Sequence, residues 1–185
     1  SKCEKLPEES IELRLFQTVV DQLWSTLPHF CWLPKDLTQS FSNEFASELS
    51  SFLYSKVDLR NTICHALRNI VTSNQEPVVD LVYKEDFFPE EVLASNLQYL
   101  SQTKAANILS VLFNVFAQTT ATKRGFLLET IECYLKITSA EDLTKTFNNV
   151  CAMLKDALEK EDPNSSKRHD ESKVSATLLD LVVTM

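Results

Sequence analysis

Glycine is nearly absent from this sequence. Its 185 residues include one, Gly125, where average usage near 7% would give about 13. Glycine supplies tight turns, β-bulges, left-handed helix caps and phosphate-cradling loops. Its scarcity argues against a dinucleotide-binding fold, a P-loop, a small β-barrel and a hairpin-rich β-sandwich. What remains is an all-helical chain that turns rarely and uses other residues to do so.

Other shortages narrow the class. No apolar run approaches the roughly 18 residues of a membrane span, and Ser1-Lys2-Cys3-Glu4-Lys5 carries no apolar signal-peptide core. The five cysteines (Cys3, Cys31, Cys64, Cys133, Cys151) are odd in number, widely spaced and without a C-x-x-C pair. A disulfide framework is therefore not expected, and a reducing compartment fits. Positive charge is also short: 18 Lys and Arg face 26 Asp and Glu, for a net charge of −8. Binding to nucleic acid would need a local basic patch on an acidic body. The hydrophobic share of 44% and charged share of 24% are those of an ordinary globular domain. The length suffices for one sizeable core or a run of helical repeats. The end, Leu178-Leu179-Asp180-Leu181-Val182-Val183-Thr184-Met185, stays apolar to its last residue, which is expected of a piece of a longer polypeptide.

What is present is helical periodicity. The spacing predicts a first helix with Pro7 at N1, Glu8 and Glu9 in its first turn, and Leu13, Phe16, Val20, Leu23 and Leu27 along one face. Pro28 is expected to stop it, leaving Pro28–Pro34 as a packed loop. Asp36 caps a second helix running to about Tyr54, with the stripe Phe41, Phe45, Leu49, Phe52. Asp58 caps a third, carrying Leu59, Ile63, Leu67, Ile70 and Val71 and ending near Ser73-Asn74. So short a turn makes these two helices antiparallel neighbours.

Glu76–Glu91, with six acids against Lys84, reads as an acidic excursion punctuated by Pro77 and Pro89. The pattern then resumes with Val92, Leu93, Leu97 and Leu100, followed by Ile108, Leu109, Leu112, Phe113 and Phe116. Ser101-Gln102-Thr103 leaves open whether this is one helix or two. A polar turn, Thr119–Thr122, leads into Leu127, Leu128, Ile131 and Leu135. Gly125 falls in the opening turn of that helix, where a close approach of two helices is its expected reason. Ser139 and Asp142 form a capping-box start for a helix bearing Leu143, Phe147, Val150, Leu154 and Leu158. Residues 161–170 read as a polar loop, and Val174, Leu178, Leu181, Val182 and Met185 as a last helix.

The expected fold is all-α: a HEAT-like α-solenoid of about eight helices in antiparallel pairs, in one segment over residues 1–185. The pairs cover roughly 7–54, 37–73, 89–138 and 139–185. Asp58-Leu59-Arg60 followed by Ala66-Leu67-Arg68-x-Ile70 is similar to the second helix of a HEAT repeat, in which the Asp caps its own helix and the Arg reaches the next repeat. Lys123-Arg124 and Lys173 fall at similar places in later pairs.

Side chains with possible chemistry read as structural. His29 with Cys31, and Cys64 with His65, have no zinc-finger spacing, so the cysteines are expected to be small core residues. A Cys64–His29 nucleophilic pair lacks any patterned oxyanion hole or orienting acid. Trp24, Phe30 and Trp32 read as wedges holding the Pro28–Pro34 loop against a helix pair. Asp21, Glu129 and Glu132 read as solvated faces or caps.

Longer strings carry a resemblance. Asp21-Gln22-Leu23-Trp24-x-x-Leu27-Pro28-x-Phe30-Cys31-x-x-Pro34-x-Asp36-Leu37, then Asp58-Leu59-Arg60-x-x-x-Cys64-x-Ala66-Leu67-Arg68, then Leu109-x-x-Leu112-Phe113-Asn114 occur in order. They are followed by Lys123-Arg124-x-x-Leu127-Leu128-Glu129-Thr130-Ile131-x-x-Tyr134-Leu135-x-Ile137-Thr138 and Leu178-Leu179-Asp180-Leu181-Val182-Val183. Together they resemble the ribosomal-RNA-processing protein 12 family of large HEAT-repeat proteins similar to karyopherins.

The resemblance implies a non-enzymatic scaffold in the nucleus and nucleolus, shuttling to the cytoplasm. It would act in pre-ribosome assembly, rRNA processing and export of ribosomal subunits by multivalent docking to pre-rRNA and assembly factors. The rival it leaves open is a transport adaptor that binds peptides or a Ran-type GTPase of the nuclear transport machinery, without touching RNA. No cofactor, metal, membrane or small-molecule substrate is implied. Lys104, Lys123, Arg124 and Lys136 become candidate contacts for RNA or a partner, in a strip with Arg60 and Arg68, or else ordinary solvated charges. Asp58 and Arg60 are expected to be structural residues between repeats.

Overall fold

Apolar residues at three- and four-residue spacing, few glycines and polar residues at the breaks produce a succession of helices. The computed structural model describes residues 11–32, 37–75, 90–160, 176, 179–180 and 182–183. These include eight α-helices and no strand: α1 (Ile11–Trp32), α2 (Leu37–Ser40), α3 (Asn43–Ser55), α4 (Arg60–Gln75), α5 (Glu90–Thr103), α6 (Ala105–Gln118), α7 (Gly125–Ile137) and α8 (Ala140–Lys160). Single 3-10 turns at Val57–Leu59 and Ala121–Lys123 lead into α4 and α7. Asp36, the segment 76–89, the loop 161–170 and most of the expected last helix lie outside the described residues.

The helices stack in two layers. α1, α4 and α7 lie side by side in that order, while α3, α6 and α8 form the other layer. α3 with α4, and α6 with α7, are the cross-layer pairs. This is the packing of an α-solenoid, in which each unit buries its apolar face against its neighbours. The core runs between the layers through Leu53, Ile63, Leu67, Leu109, Leu112, Leu127 and Ile131. Tyr134 is fully buried there, and its hydroxyl donates to the Leu67 carbonyl at 3.2 Å.

Local chemistry sets several boundaries. Ser139 Oγ accepts from the Asp142 amide at 3.2 Å and donates to the Asp142 carboxylate at 2.9 Å, forming the expected start of α8. The expected helix from Asp36 to Tyr54 is instead two, broken at Phe41-Ser42, where Ser42 Oγ accepts from the Phe45 amide at 3.2 Å and caps α3. The open question at Ser101–Thr103 resolves to a one-residue break at Lys104. Lys104 N to Leu100 O and Ile108 N to Lys104 O, both 3.0 Å, carry the hydrogen-bond ladder across it.

Two expectations fail for tertiary reasons. Pro28 does not stop α1, which continues to Trp32. Proline costs one helical hydrogen bond, but Pro28 is buried and its carbonyl accepts from Asn69 Nδ2 of α4 at 2.8 Å. Packing on α4 thus holds the last turn helical where a loop was expected. Gly125 does not mark a close approach either: a Cβ built there would meet nothing within 4 Å.

Buried amides tie the elements together. Asn96 Oδ1 of α5 accepts from the Leu37 amide at 3.1 Å, satisfying the first N–H of α2. Asn96 Nδ2 donates to Asn74 Oδ1 at 2.9 Å, and Asn74 Nδ2 donates to the Ile70 carbonyl at 2.7 Å.

Candidate functional site

The basic residues follow from where the helices end. Arg60 opens α4 directly below the end of α3 and is 8% exposed. Its Nε donates to the Leu53 carbonyl at 2.8 Å and Nη2 to the Tyr54 carbonyl at 3.3 Å, two of the carbonyls that the end of α3 leaves without helical partners. Nη1 donates to Thr119 Oγ1 at 3.3 Å, at the C-cap of α6. Arg60 therefore spans the C-terminal ends of two neighbouring helices of one layer. Asp58 is exposed within the 3-10 turn rather than at its cap position, which Lys56 occupies.

Arg124 repeats the arrangement one unit later. It immediately precedes α7, is 9% exposed, and its Nε donates to the Thr119 carbonyl at 2.6 Å. Its guanidinium lies 4.6 Å from the centre of the Phe116 ring, and Nη1 is 3.6 Å from the Asp180 carboxylate. Thr119 accepts from Arg60 on its hydroxyl and from Arg124 on its carbonyl, and its hydroxyl donates to the Val115 carbonyl at 2.6 Å.

Lys104 is also interior, at 4% exposure. Its ammonium donates to Asn43 Oδ1 at the start of α3 and lies 5.5 Å from the Tyr99 ring centre. Arg68 pairs with Glu129 across α4 and α7. Of the candidate contact residues, Lys123 and Lys136 are exposed, while Lys104 and Arg124 face inward. The expected strip is therefore not continuous. Arg60 and Arg124 lie where helix ends leave carbonyls without partners, and both turn inward to serve them.

Among the described residues the thiols and the cavity supply no reactive pair. Burial pushes the Cys64 and Cys31 thiols up to about 11, so both are protonated and weakly nucleophilic near neutral pH. His65 has its pKa lowered by partial desolvation and by the nearby Arg68 and His29. Among the described residues no group of three or more His, Cys, Asp or Glu is placed to hold a metal ion. A cavity of 170 Å³ opens between α1, α2, α3 and α4, walled by Leu27, Phe30, Cys31, Leu37, Phe41 and Phe45. Its described lining is apolar apart from Ser40 and offers no convergent polar groups of the kind a substrate site needs.

The first stripe of the sequence divides in the structure. Trp24, Leu27, Pro28 and Cys31 turn toward the core, with Trp24 edge-on to Phe52 of α3 at 5.2 Å. Leu13, Phe16 and Leu23, expected on the packed face, are exposed, as are Val19 and Phe30.

Residues 1–119 match the family model described as "Ribosomal RNA-processing protein 12, HEAT repeats". The chain belongs to the ribosomal RNA-processing protein 12 family. It is 55% identical over 190 residues to ribosomal RNA-processing protein 12 of Saccharomyces cerevisiae, an alignment that covers all of this chain and 15% of that protein. It is 40% identical over 154 residues to the putative ribosomal RNA-processing protein 12 of Schizosaccharomyces pombe, covering 81% of this chain and 13% of the relative. Against the human RRP12-like protein the identity is 32% over 182 residues, covering 95% and 12%. The chain thus spans about one seventh of the yeast relatives' length. No solved structure matches it.

Family membership and the two helical layers agree on an all-α, HEAT-like solenoid segment. Within this member of the family, sequence reasoning overlooked Thr119 and the amides Asn69, Asn74 and Asn96. One signal was available for Thr119: an arginine follows the end of the preceding helix at a similar offset twice, Arg60 after Ser55 and Arg124 after Gln118.

Proposed function

We propose that this chain is a repeat segment of a non-enzymatic scaffold acting in the nucleus and nucleolus, in pre-ribosome assembly, rRNA processing and the export of ribosomal subunits. The observation that carries the reading is its 55% identity, along its whole length, to a protein named for ribosomal RNA processing. Stacked helix pairs present extended surfaces, and several weak contacts on one rigid body add through effective concentration.

The inward positions of Lys104 and Arg124 favour protein over RNA as the direct partner of this segment. Lys123 and Lys136 are the residues of the expected strip left for phosphate. That observation also supports a second reading, a transport adaptor that docks peptides or a small GTPase and leaves RNA to other parts of the polypeptide. The deciding experiment is capture of pre-ribosomal particles by the tagged full-length protein, with and without this segment. Loss of particle capture on deletion supports the scaffold; a full-length protein absent from every pre-ribosomal fraction refutes it. Titration of the segment with structured RNA over a salt series separates the two readings. Direct RNA contact predicts affinity that falls steeply with salt and is reduced by Lys123→Glu and Lys136→Glu.

A further inference from the structure

We infer that α2 is a detachable strap: α5 holds it by both ends across the cavity, and its release uncovers the cavity and unties α5 from the α1–α3 side. The inference rests on this joint alone and does not depend on the ribosomal reading.

The first observation is what holds α2. A single turn, Leu37–Ser40, is far too short to be stable alone. Nor is it part of α3, since the helix breaks at Phe41-Ser42. Two of its ties come from α5, 59 and 58 residues away in sequence. At the start of α2 the Leu37 amide donates to Asn96 Oδ1 at 3.1 Å. Just past its end the Phe41 carbonyl accepts from the Tyr99 hydroxyl at 3.3 Å. Asn96 and Tyr99 are three residues apart, so they present from one side of α5. The Lys104 ammonium, 5.5 Å from the Tyr99 ring centre, takes hold two residues further on, at Asn43.

The second observation is what α2 covers. Its Leu37 and the adjoining Phe41 form one wall of the 170 Å³ cavity, facing Leu27 and Cys31 of α1, Phe45 of α3 and Ile70 of α4. Both are anchors, 7% and 2% exposed, and Phe41 stands edge-on to Phe45 with ring centres 5.8 Å apart. Side chains beside an unfilled space lack contact atoms on that side and are held less strongly than in a filled core.

The third observation is that α3 keeps its place without α2. Ser42 is extended, at φ −61° and ψ 167°, and its Oγ caps the Phe45 amide with no help from α2. α3 also rests on α4 and α6, and α5 on α4 and α6, through contacts in which α2 has no share. Release therefore breaks two side-chain bonds from α5 and frees two apolar anchors, while the rest of both layers stays folded. Elements joined by so few contacts open locally, well below the free energy of global unfolding. Once α2 is free, the cavity faces solvent and the α1–α3 side has lost its tie through α2 to α5.

The test is native-state hydrogen exchange of the chain, read amide by amide by NMR. The Leu37 and Phe41 amides should exchange about a hundredfold or more faster than those of Leu67 in α4 and Leu112 in α6, and with a weaker dependence on urea. Tyr99→Phe keeps the ring and removes one tie, so it should speed Leu37 and Phe41 about three- to tenfold. Tyr134→Phe removes a bond inside the part that stays folded, the one to the Leu67 carbonyl. It should speed Leu67 and Leu112 by a similar factor and leave Leu37 and Phe41 unchanged. Cys31 reports on the cavity through its labelling by iodoacetamide, followed by peptide mass spectrometry. That labelling should rise in Tyr99→Phe by the same factor as α2 exchange and stay level in Tyr134→Phe. Amides of α2 as slow as those of the core, or speeded equally by Tyr134→Phe, overturn the strap. Cys31 labelling indifferent to Tyr99→Phe separates α2 from the cavity and overturns the proposal equally.

Discussion

Replacing Arg60 with methionine keeps much of the side chain's bulk and removes its three donor contacts. Those contacts, at 2.8, 3.3 and 3.3 Å, satisfy two carbonyls at the end of α3 and the hydroxyl of Thr119 on α6. Hydrogen bonds from a charged donor are worth about 1.5–3 kcal/mol net when buried. The two longer bonds belong at or below the low end of that range, and the Tyr54 carbonyl is only part-buried. The desolvation that Arg60 no longer suffers offsets some of the loss. The expected net cost is about 3 kcal/mol, or roughly 6–12 °C in Tm for a chain of this size. Arg60→Lys, which keeps the charge but cannot fork, should cost about half as much. The assay is urea unfolding followed by far-UV circular dichroism, with exposed Lys136→Met as a control expected within about 0.5 kcal/mol of the parent. Thr119→Val removes the acceptor from the other side, so the Arg60→Met/Thr119→Val double mutant should fall short of additivity by about 1 kcal/mol. A cost below about 1 kcal/mol for Arg60→Met, or strict additivity in the cycle, would refute the view that Arg60 joins two repeats.

Three further outcomes follow from particular residues. Gly125→Ala should stabilise the chain by about 0.5–1 kcal/mol, because the site is helical, lacks a positive φ and has open space where the Cβ would go; a lower Tm would show that this space is not free. Ser139→Ala should cost about 1 kcal/mol by removing the cap on the Asp142 amide and the hydroxyl's bond to the Asp142 carboxylate, and Ser139→Asp should recover most of it in the same melt. Cys64 should resist iodoacetamide at pH 9 and become labelled as the pH nears 11, as followed by peptide mass spectrometry. The sign is that of an acid whose folded pKa is raised. Its contribution to stability is fully present below 9.0 and lost as pH climbs toward about 11, because only the unfolded thiol ionises in that window. Rapid labelling of the folded chain at neutral pH would contradict the buried position of Cys64.

Local features were legible because their causes are local. The Ser139/Asp142 capping box lies within four residues, and the stripe Ile63, Leu67, Ile70, Val71 predicts the inner face of α4 by periodicity alone. Pro28 misled because a proline's local cost says nothing about the hydrogen bond its carbonyl receives from Asn69, 41 residues away. The break at Phe41-Ser42 was hidden by an unbroken apolar spacing that continues across it. For the candidate site the difference is wider. Lys104, Lys123, Arg124 and Lys136 are alike as letters, yet two are interior and two exposed.

The residues alone therefore determined an all-α chain: scarce glycine, helical periodicity and capping residues act over one or two turns and need no distant partner. Only the tertiary structure decided which apolar stripe of α1 is covered and which cations reach solvent. A helix can carry more apolar surface than one neighbour buries, so the packing of α4 and α3, not the pattern of α1, selects the stripe around Trp24 and leaves that around Leu23 open. A cation, likewise, goes inside where a helix end places carbonyls within its reach. For Arg60 and Arg124 those carbonyls belong to the ends of α3 and α6, whose meeting is a property of the fold.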